Sequence, residues 1–236
     1  EGMSLLDFYS DERCALCAKH ARAGVCSPCY RVLRKDALGA QGRCFRCFFP
    51  LQQGVCSFCR GRNVFFDRHL SLFRLSEGWT EVLRAWKFRN CRGMYRLFLP
   101  AITKVLDRLP EFDRISYIGS GRKLYETRSY QPCQDLCRSV SRLTGRIYAE
   151  DLRKRNTGRQ SSRSFEDRFF ALHNSLEITG DLRGKKCLLI EDVFTTGGTA
   201  NEASRILKKN GVNFVTVLTM LHREDLIPDR QVQLQY

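Results

Sequence analysis

The stretch Cys187–Thr199, CLLIEDVFTTGGT, leaves little freedom in what this chain can fold into. Leu188, Leu189 and Ile190 form a continuous apolar run, the pattern of a parallel strand covered on both faces. Glu191 and Asp192 are expected where that strand ends, at the sheet edge where open α/β proteins bind ligands. Thr195-Thr196-Gly197-Gly198-Thr199 then offers backbone N–H groups and hydroxyls with no bulky side chain in the way. Asn201 to Lys209 reads as a helix, so the loop lies at a positive helix N-terminus. A Gly-Gly pair alone would be ordinary punctuation between a strand and a helix. Apolar run, acid pair, small-residue loop and helix in this order make a phosphate cradle. Two carboxylates beside a phosphate suit vicinal hydroxyls, so a sugar phosphate is the expected ligand.

A second feature is the cysteine array. Eight of the twelve cysteines form four C-x-x-C pairs, Cys14/Cys17, Cys26/Cys29, Cys44/Cys47 and Cys56/Cys59. Eight residues separate the pairs within each half, and the second half repeats the first after thirty residues. The flanks repeat as well, Gly24-Val25-Cys26-Ser27 against Gly54-Val55-Cys56-Ser57, so one small unit is duplicated. Each C-x-x-C turn aims two sulfurs at one point, and two turns make a closed tetrahedral site suited to a structural Zn2+. Sequential pairing, 14/17 with 26/29 and 44/47 with 56/59, is favoured by the duplication. Interleaving of the halves is the other arrangement open to the sequence. No basic-then-apolar leader precedes residue 20, which argues against secretion and hence against disulfides. The βαβ pattern that a redox C-x-x-C would need is absent from residues 14–59. Cys91, Cys133, Cys137 and Cys187 read as small buried hydrophobes, and the four histidines show no ligand spacing.

The formal net charge is +15 over 236 residues. Eight thiolates on two divalent ions would lower it by four, to +11, which is still basic. Such a chain suits a polyanionic partner, nucleic acid or pyrophosphate. No apolar run approaches the roughly 18 residues of a membrane span, and a cytoplasmic protein is expected.

Between these features, residues 69–75 alternate as a strand and Ser76 caps a helix to about Phe88. Met94–Leu109 is amphipathic, with a break or kink expected at Pro100. Arg84, Lys87, Arg89, Arg92 and Arg96 form an acid-free basic cluster, either a solvated helix face or a binding surface. Arg114–Gly119 is a strand whose exit loop, Ser120-Gly121-Arg122-Lys123, combines backbone donors with two cations. Pro132–Leu143 is a helix stopped at Gly145, and Arg146–Glu150 the next strand. Residues 152–168 are polar, Arg-rich and aperiodic, the composition of a linker. Asn213–Leu221 forms a further core strand.

The 187–199 stretch is similar to the 5-phosphoribosyl 1-pyrophosphate (PRPP) signature of type I phosphoribosyltransferases. With the duplicated cysteines and the Trp86-Lys87-Phe88 position, the chain resembles the competence-associated ComF family. The resemblance implies an α/β fold, a doubly wound parallel sheet of phosphoribosyltransferase type over residues 67–236. A small double zinc-ribbon domain over residues 1–66 would precede it. It implies that Glu191 and Asp192 hold the ribose hydroxyls and assist catalysis. The 5-phosphate would lie on Thr195, Thr196, Gly197, Gly198 and Thr199, and Mg2+ would accompany the pyrophosphate. Ser120, Gly121, Arg122 and Lys123 would form the pyrophosphate loop. Arg155, Thr157, Gln160 and Arg168 match the family's mobile loop, with Asp167 in place of its usual Glu and Ala171 in place of Asn. Phosphoribosyl transfer to a nitrogen acceptor, linked to DNA uptake, is the activity this implies. The rival reading is a non-catalytic adaptor that binds single-stranded DNA through Trp86, Phe88, Tyr95, Phe45, Phe48, Phe49 and Phe58, rings that the sequence equally allows to be core. Competence helicase or uptake proteins are the partners the family suggests.

Overall fold

The computed structural model describes residues 13–21, 24–60, 62–89, 91–119, 130–154 and 176–224. Its centre is a six-stranded sheet in the order β1-β6-β5-β2-β3-β4. The strands are β1 (Arg68–Arg74), β2 (Arg114–Gly119), β3 (Ile147–Lys154), β4 (Leu176–Ile178), β5 (Lys186–Phe194) and β6 (Phe214–His222). All neighbours pair in parallel except β3 and β4, which are antiparallel. The helices are α1 (Ser27–Leu33), α2 (Glu77–Phe88), α3 (Leu99–Leu106), α4 (Pro132–Thr144) and α5 (Gly198–Lys209).

Local sequence accounts for most of these boundaries. The Ser76 hydroxyl accepts from the Trp79 N–H and starts α2. Pro100 stands in the first turn of α3, where its missing N–H costs nothing. The expected break thus falls at Phe98, between a short 3₁₀ helix (Arg92–Leu97) and α3. Gly145 closes α4 in the left-handed conformation that glycine adopts without strain. Two segments differ from expectation. The strand expected to end at Glu150 runs on to Lys154, because it pairs with β2 through Arg153 and with β4 beyond it. β4 itself was not expected from the sequence; three residues carry too little pattern to register.

The sheet order places the functional crevice. From β2 the chain crosses through α4 to β3 on one side, and from β5 it crosses through α5 to β6 on the other. The central neighbours β2 and β5 therefore form a topological switch point, and their carboxyl ends open a cleft.

Alternation along the strands divides the core in two. Leu188, Ile190, Leu218 and Met220 face α2, α3 and α4. Cys187, Leu189, Val215 and Val217 face α5. The cysteine units are part of both layers. Cys14, Ala21, Val25 and Phe48 lie in the first core, and Cys47, Phe49 and Phe58 in the second. The segment between the units, together with the Cys44–Cys47 turn, also covers the edge strand β1. The Leu38 N–H donates to Leu72 O and the His69 N–H donates to Arg46 O, so the edge is not open to pairing.

The thirty-residue duplication is visible in the backbone. Antiparallel bridges join Arg13 to His20 and Arg43 to Pro50. Ala18 and Phe48 share a positive φ, 58° and 65°, as do Gly24 and Gly54 at 71° and 79°. The Cys14 N–H donates to Lys19 O, and the Cys44 N–H donates to Phe49 O. The two copies then diverge in what they seat on. A Cβ on Gly24 would lie 2.7 Å from the Met94 methyl, so the first unit rests on the 3₁₀ helix. The second rests on the other face, against Phe194 and α5.

Candidate functional site

β5 outruns β2. Their pairing ends at Tyr117–Ile190, while β5 stays paired with β6 through Glu191–Thr219 to Phe194–His222. The acid pair is therefore inside the strand rather than at its end, on the part that overhangs the cleft. Glu191 and Asp192 are both half-buried. Strand backbone fixes their position, and consecutive residues on a strand point to opposite faces.

Asp192 has a partner from outside the motif. Lys87 Nζ lies 2.5 Å from Asp192 Oδ2, and the two side chains are only 21% and 16% exposed. Lys87 stands in the last turn of α2, which Trp79, Val82, Ala85 and Trp86 anchor in the first core. The sequence flagged the Lys-aromatic dipeptide at this position and nothing about its partner. The half-buried Cys133, in the first turn of α4, faces the same group. Burial, with the Asp192 and Glu191 charges adding to it, pushes its thiol well above the usual range.

The small-residue loop follows Phe194 directly. Gly197 has φ 71° and forms the N-cap of α5. A Cβ there would fall 2.5 Å from Phe194 Cζ and 2.9 Å from Phe58 Cζ, so glycine is required both for conformation and for space. The Gly198 N–H donates to Thr196 Oγ1 at 3.3 Å, which tightens the turn. No acidic residue occupies the first turn of α5, and among the described residues no side chain caps it. The positive end of a twelve-residue helix is thus left for an anion. Loop and carboxylates together can hold a phosphate next to a polyhydroxyl group.

Ser120, Gly121, Arg122 and Lys123 lie outside the described residues, as do Arg155, Thr157, Gln160, Asp167, Arg168 and Ala171. Gly119, at the exit of β2, comes against Glu150: a Cβ there would overlap the Glu150 carboxyl.

The eight C-x-x-C cysteines gather in sequential order. The sulfurs of Cys14, Cys17, Cys26 and Cys29 lie within 4.8 Å of one another, and so do those of Cys44, Cys47, Cys56 and Cys59. The sulfurs are 3.6 Å apart for Cys17–Cys26, 3.2 Å for Cys47–Cys56 and 3.9 Å for Cys44–Cys59. A zinc ion with bonds of about 2.3 Å in a tetrahedron sets its sulfurs about 3.8 Å apart. Both tetrads fit such an ion, and the interleaved pairing is set aside. Of the other four cysteines, Cys91, Cys137 and Cys187 are buried as expected, while Cys133 is half-buried.

Two further expectations are revised by packing. The basic cluster has acids after all: Arg84 and Arg89 pair with Glu81, and Arg92 with Asp135. Most of the candidate stacking rings are core. Trp86, Phe48, Phe49 and Phe58 are buried, while Phe45 and Phe88 are exposed at 71% and 70%. Histidines to which the sequence assigned nothing form a buried polar group behind the site. His69 Nε2 bonds Thr219 and Ser71, its Nδ1 meets Cys47 O, and its ring stacks on Phe194. Burial lowers the pKa of His222 to about 4, so it packs there as a neutral ring against Phe49. Glu224 and Arg43 lie beside it. Lone histidines without ligand spacing carry no signal for such a role.

Comparison with known proteins agrees with this geometry. Residues 127–234 match the family model described as a phosphoribosyl transferase domain. DNA utilization protein YhgH of Escherichia coli O6:H1 (strain CFT073) is 25% identical over 206 residues, 82% of this chain and 88% of that protein. Orotate phosphoribosyltransferase of Rhodopseudomonas palustris (strain TIE-1) is 50% identical over 44 residues, 19% of this chain. That match spans about a quarter, 24%, of the length of the enzyme. An adenine phosphoribosyltransferase structure aligns at 14% identity and a TM-score of 0.41, over 63% of this chain and 77% of that one. No helix among the described residues is long and apolar enough to cross a membrane. A type I phosphoribosyltransferase fold, two sequential four-cysteine units and similarity along most of a DNA utilization protein support the resemblance of this chain to the ComF family.

Proposed function

We propose that this protein binds PRPP with Mg2+ and transfers its 5-phosphoribosyl group to a nitrogen acceptor in the service of DNA utilization. The observation that carries the reading is the acid pair on the overhang of β5 beside an uncapped helix N-terminus, at the switch point of the sheet. The backbone of Thr195–Thr199 and the Thr195, Thr196 and Thr199 hydroxyls would take the 5-phosphate. Glu191 and Asp192 would accept from the ribose 2- and 3-hydroxyls. Their charge also stabilises the positive ribose that develops as pyrophosphate leaves C1. Hard carboxylate oxygens and substrate phosphates suit Mg2+, which supplies charge neutralisation at the departing pyrophosphate. Lys87 pairs with Asp192 and would offer a cation to the same anionic substrate. Arg122 and Lys123 on the β2 exit and Arg155, Gln160 and Arg168 on the following loop would complete the pyrophosphate shell and exclude water. The eight cysteines would hold two structural Zn2+ ions, in a domain of residues 1–66 ahead of the catalytic one.

Incubation of the zinc-loaded protein with Mg·PRPP and a panel of nitrogen nucleophiles tests the activity. Pyrophosphate release that depends on one acceptor is the expected result. Release at the no-acceptor rate across bases, amines and nucleic acids would leave a binding protein instead. The exposed Phe45 ring, with the Arg68 guanidinium 4.0 Å from its centroid, favours single-stranded DNA as a second ligand at the cysteine units.

A further inference from the structure

The two cysteine units are copies, yet among the described residues only the second touches the anion loop. Phe58 stands between Cys56 and Cys59 in the second tetrad and is 5% exposed. Its ring stacks on Phe49 with centroids 4.6 Å apart, and Phe49 lies two positions after Cys47. The tip of the Phe58 ring reaches the backbone at Gly197, where an added Cβ would be 2.9 Å from Cζ. The same chain segment grips the loop again one turn into α5. Asn201 Nδ2 donates to Asn63 O at 2.8 Å, and Asn201 Oδ1 accepts from the Phe65 N–H at 2.7 Å. Phe58, Asn63 and Phe65 thus hold the α5 N-terminus at Gly197 and at Asn201. The first tetrad sits on the opposite face of the sheet, against Met94.

We propose that Phe58 is a positioning residue for the 195–199 loop, and that metal in the second tetrad and anion on the loop are thermodynamically coupled. A tetrahedral metal fixes the Cys56–Cys59 turn, the turn fixes the ring, and the ring sets the path of the Gly197 backbone whose neighbours point at the anion. Ordering the loop with an anion fixes the ring in return, so each ligand tightens the other by the same factor. Loss or oxidation of the second tetrad would switch off the loop, and loss of the first would leave it intact. The proposal rests on the reading of this loop as an anion site.

The test uses the full zinc-loaded chain and three variants: Phe58→Ala, Phe58→Leu, and Cys17→Ser in the first tetrad. Metal content, hydrogen exchange of the 194–201 segment and the Kd for Mg·PRPP are measured on each. Phe58→Ala is expected to keep two zinc ions while its loop exchanges about tenfold faster and binds about tenfold more weakly. Phe58→Leu should recover most of both effects, and Cys17→Ser should lose one zinc and leave loop exchange as in the wild type. Saturating Mg·PRPP should slow zinc release from one site only. Wild-type exchange rates in a metal-replete Phe58→Ala chain would overturn the proposal. Should the wild type fail to bind Mg·PRPP, the ligand reading falls. The exchange data on Phe58→Ala and Phe58→Leu would still decide the positioning role.

Discussion

Stripping metal from both cysteine tetrads is expected to unfold residues 13–60 and to destabilise the whole sheet. A structural zinc contributes on the order of 10 kcal/mol or more to the fold that creates its site. A whole domain is stable by only about 5–15 kcal/mol. The units also supply Cys14, Ala21, Val25 and Phe48 to one core and Cys47, Phe49 and Phe58 to the other, so their loss opens both faces. The His69 and Leu72 backbone bonds that cover the β1 edge would go with them. Calorimetric melting with and without a strong chelator reads this directly. A melting point lowered by tens of degrees, or loss of a cooperative transition, is expected. An unchanged melt would mean that the metals are dispensable.

The second large effect concerns the acid pair. Replacing Glu191 and Asp192 together with alanine is expected to weaken Mg·PRPP binding by a hundredfold or more. Each hydrogen bond to a charged group contributes about 1.5–3 kcal/mol, and two such acceptors are removed. The change also strands Lys87, whose side chain is only 21% exposed, without the partner 2.5 Å away. A modest loss of stability should accompany the loss of affinity. Retention of the fold, checked by the same melting experiment, separates the two effects. Wild-type affinity in the double variant would remove these carboxylates from the ribose.

How much of this was legible beforehand follows from the range of each interaction. The tetrads and the strand-loop-helix of 187–199 are local patterns, and the backbone followed them, down to a thirty-residue repeat of φ angles. The overhang of β5 was not legible, because it depends on the pairing of β5 with β2 stopping at Tyr117–Ile190 while its pairing with β6 continues to His222. Strand length read from one segment says nothing about where its neighbours end. Lys87 could be marked as unusual, yet its pairing with Asp192 needed the packing of α2 over the sheet. The Arg cluster appeared free of acids because Asp135, the partner of Arg92, lies in α4. Phe58 was read as a possible base-stacking ring; composition does not reveal that its exposed-looking turn is pressed against Gly197. Burial of that ring is a tertiary fact, produced by two copies of one unit settling on opposite faces.

The sheet order and the open α5 N-terminus concentrate the account on a single cleft between β2 and β5. Calorimetric titration of the zinc-loaded chain with PRPP, with and without Mg2+, addresses that cleft most directly. Saturable binding of one PRPP per chain that requires Mg2+ and is competed by pyrophosphate is the result this account predicts. Absence of binding at millimolar PRPP, with both zinc ions in place and the protein folded, would contradict it.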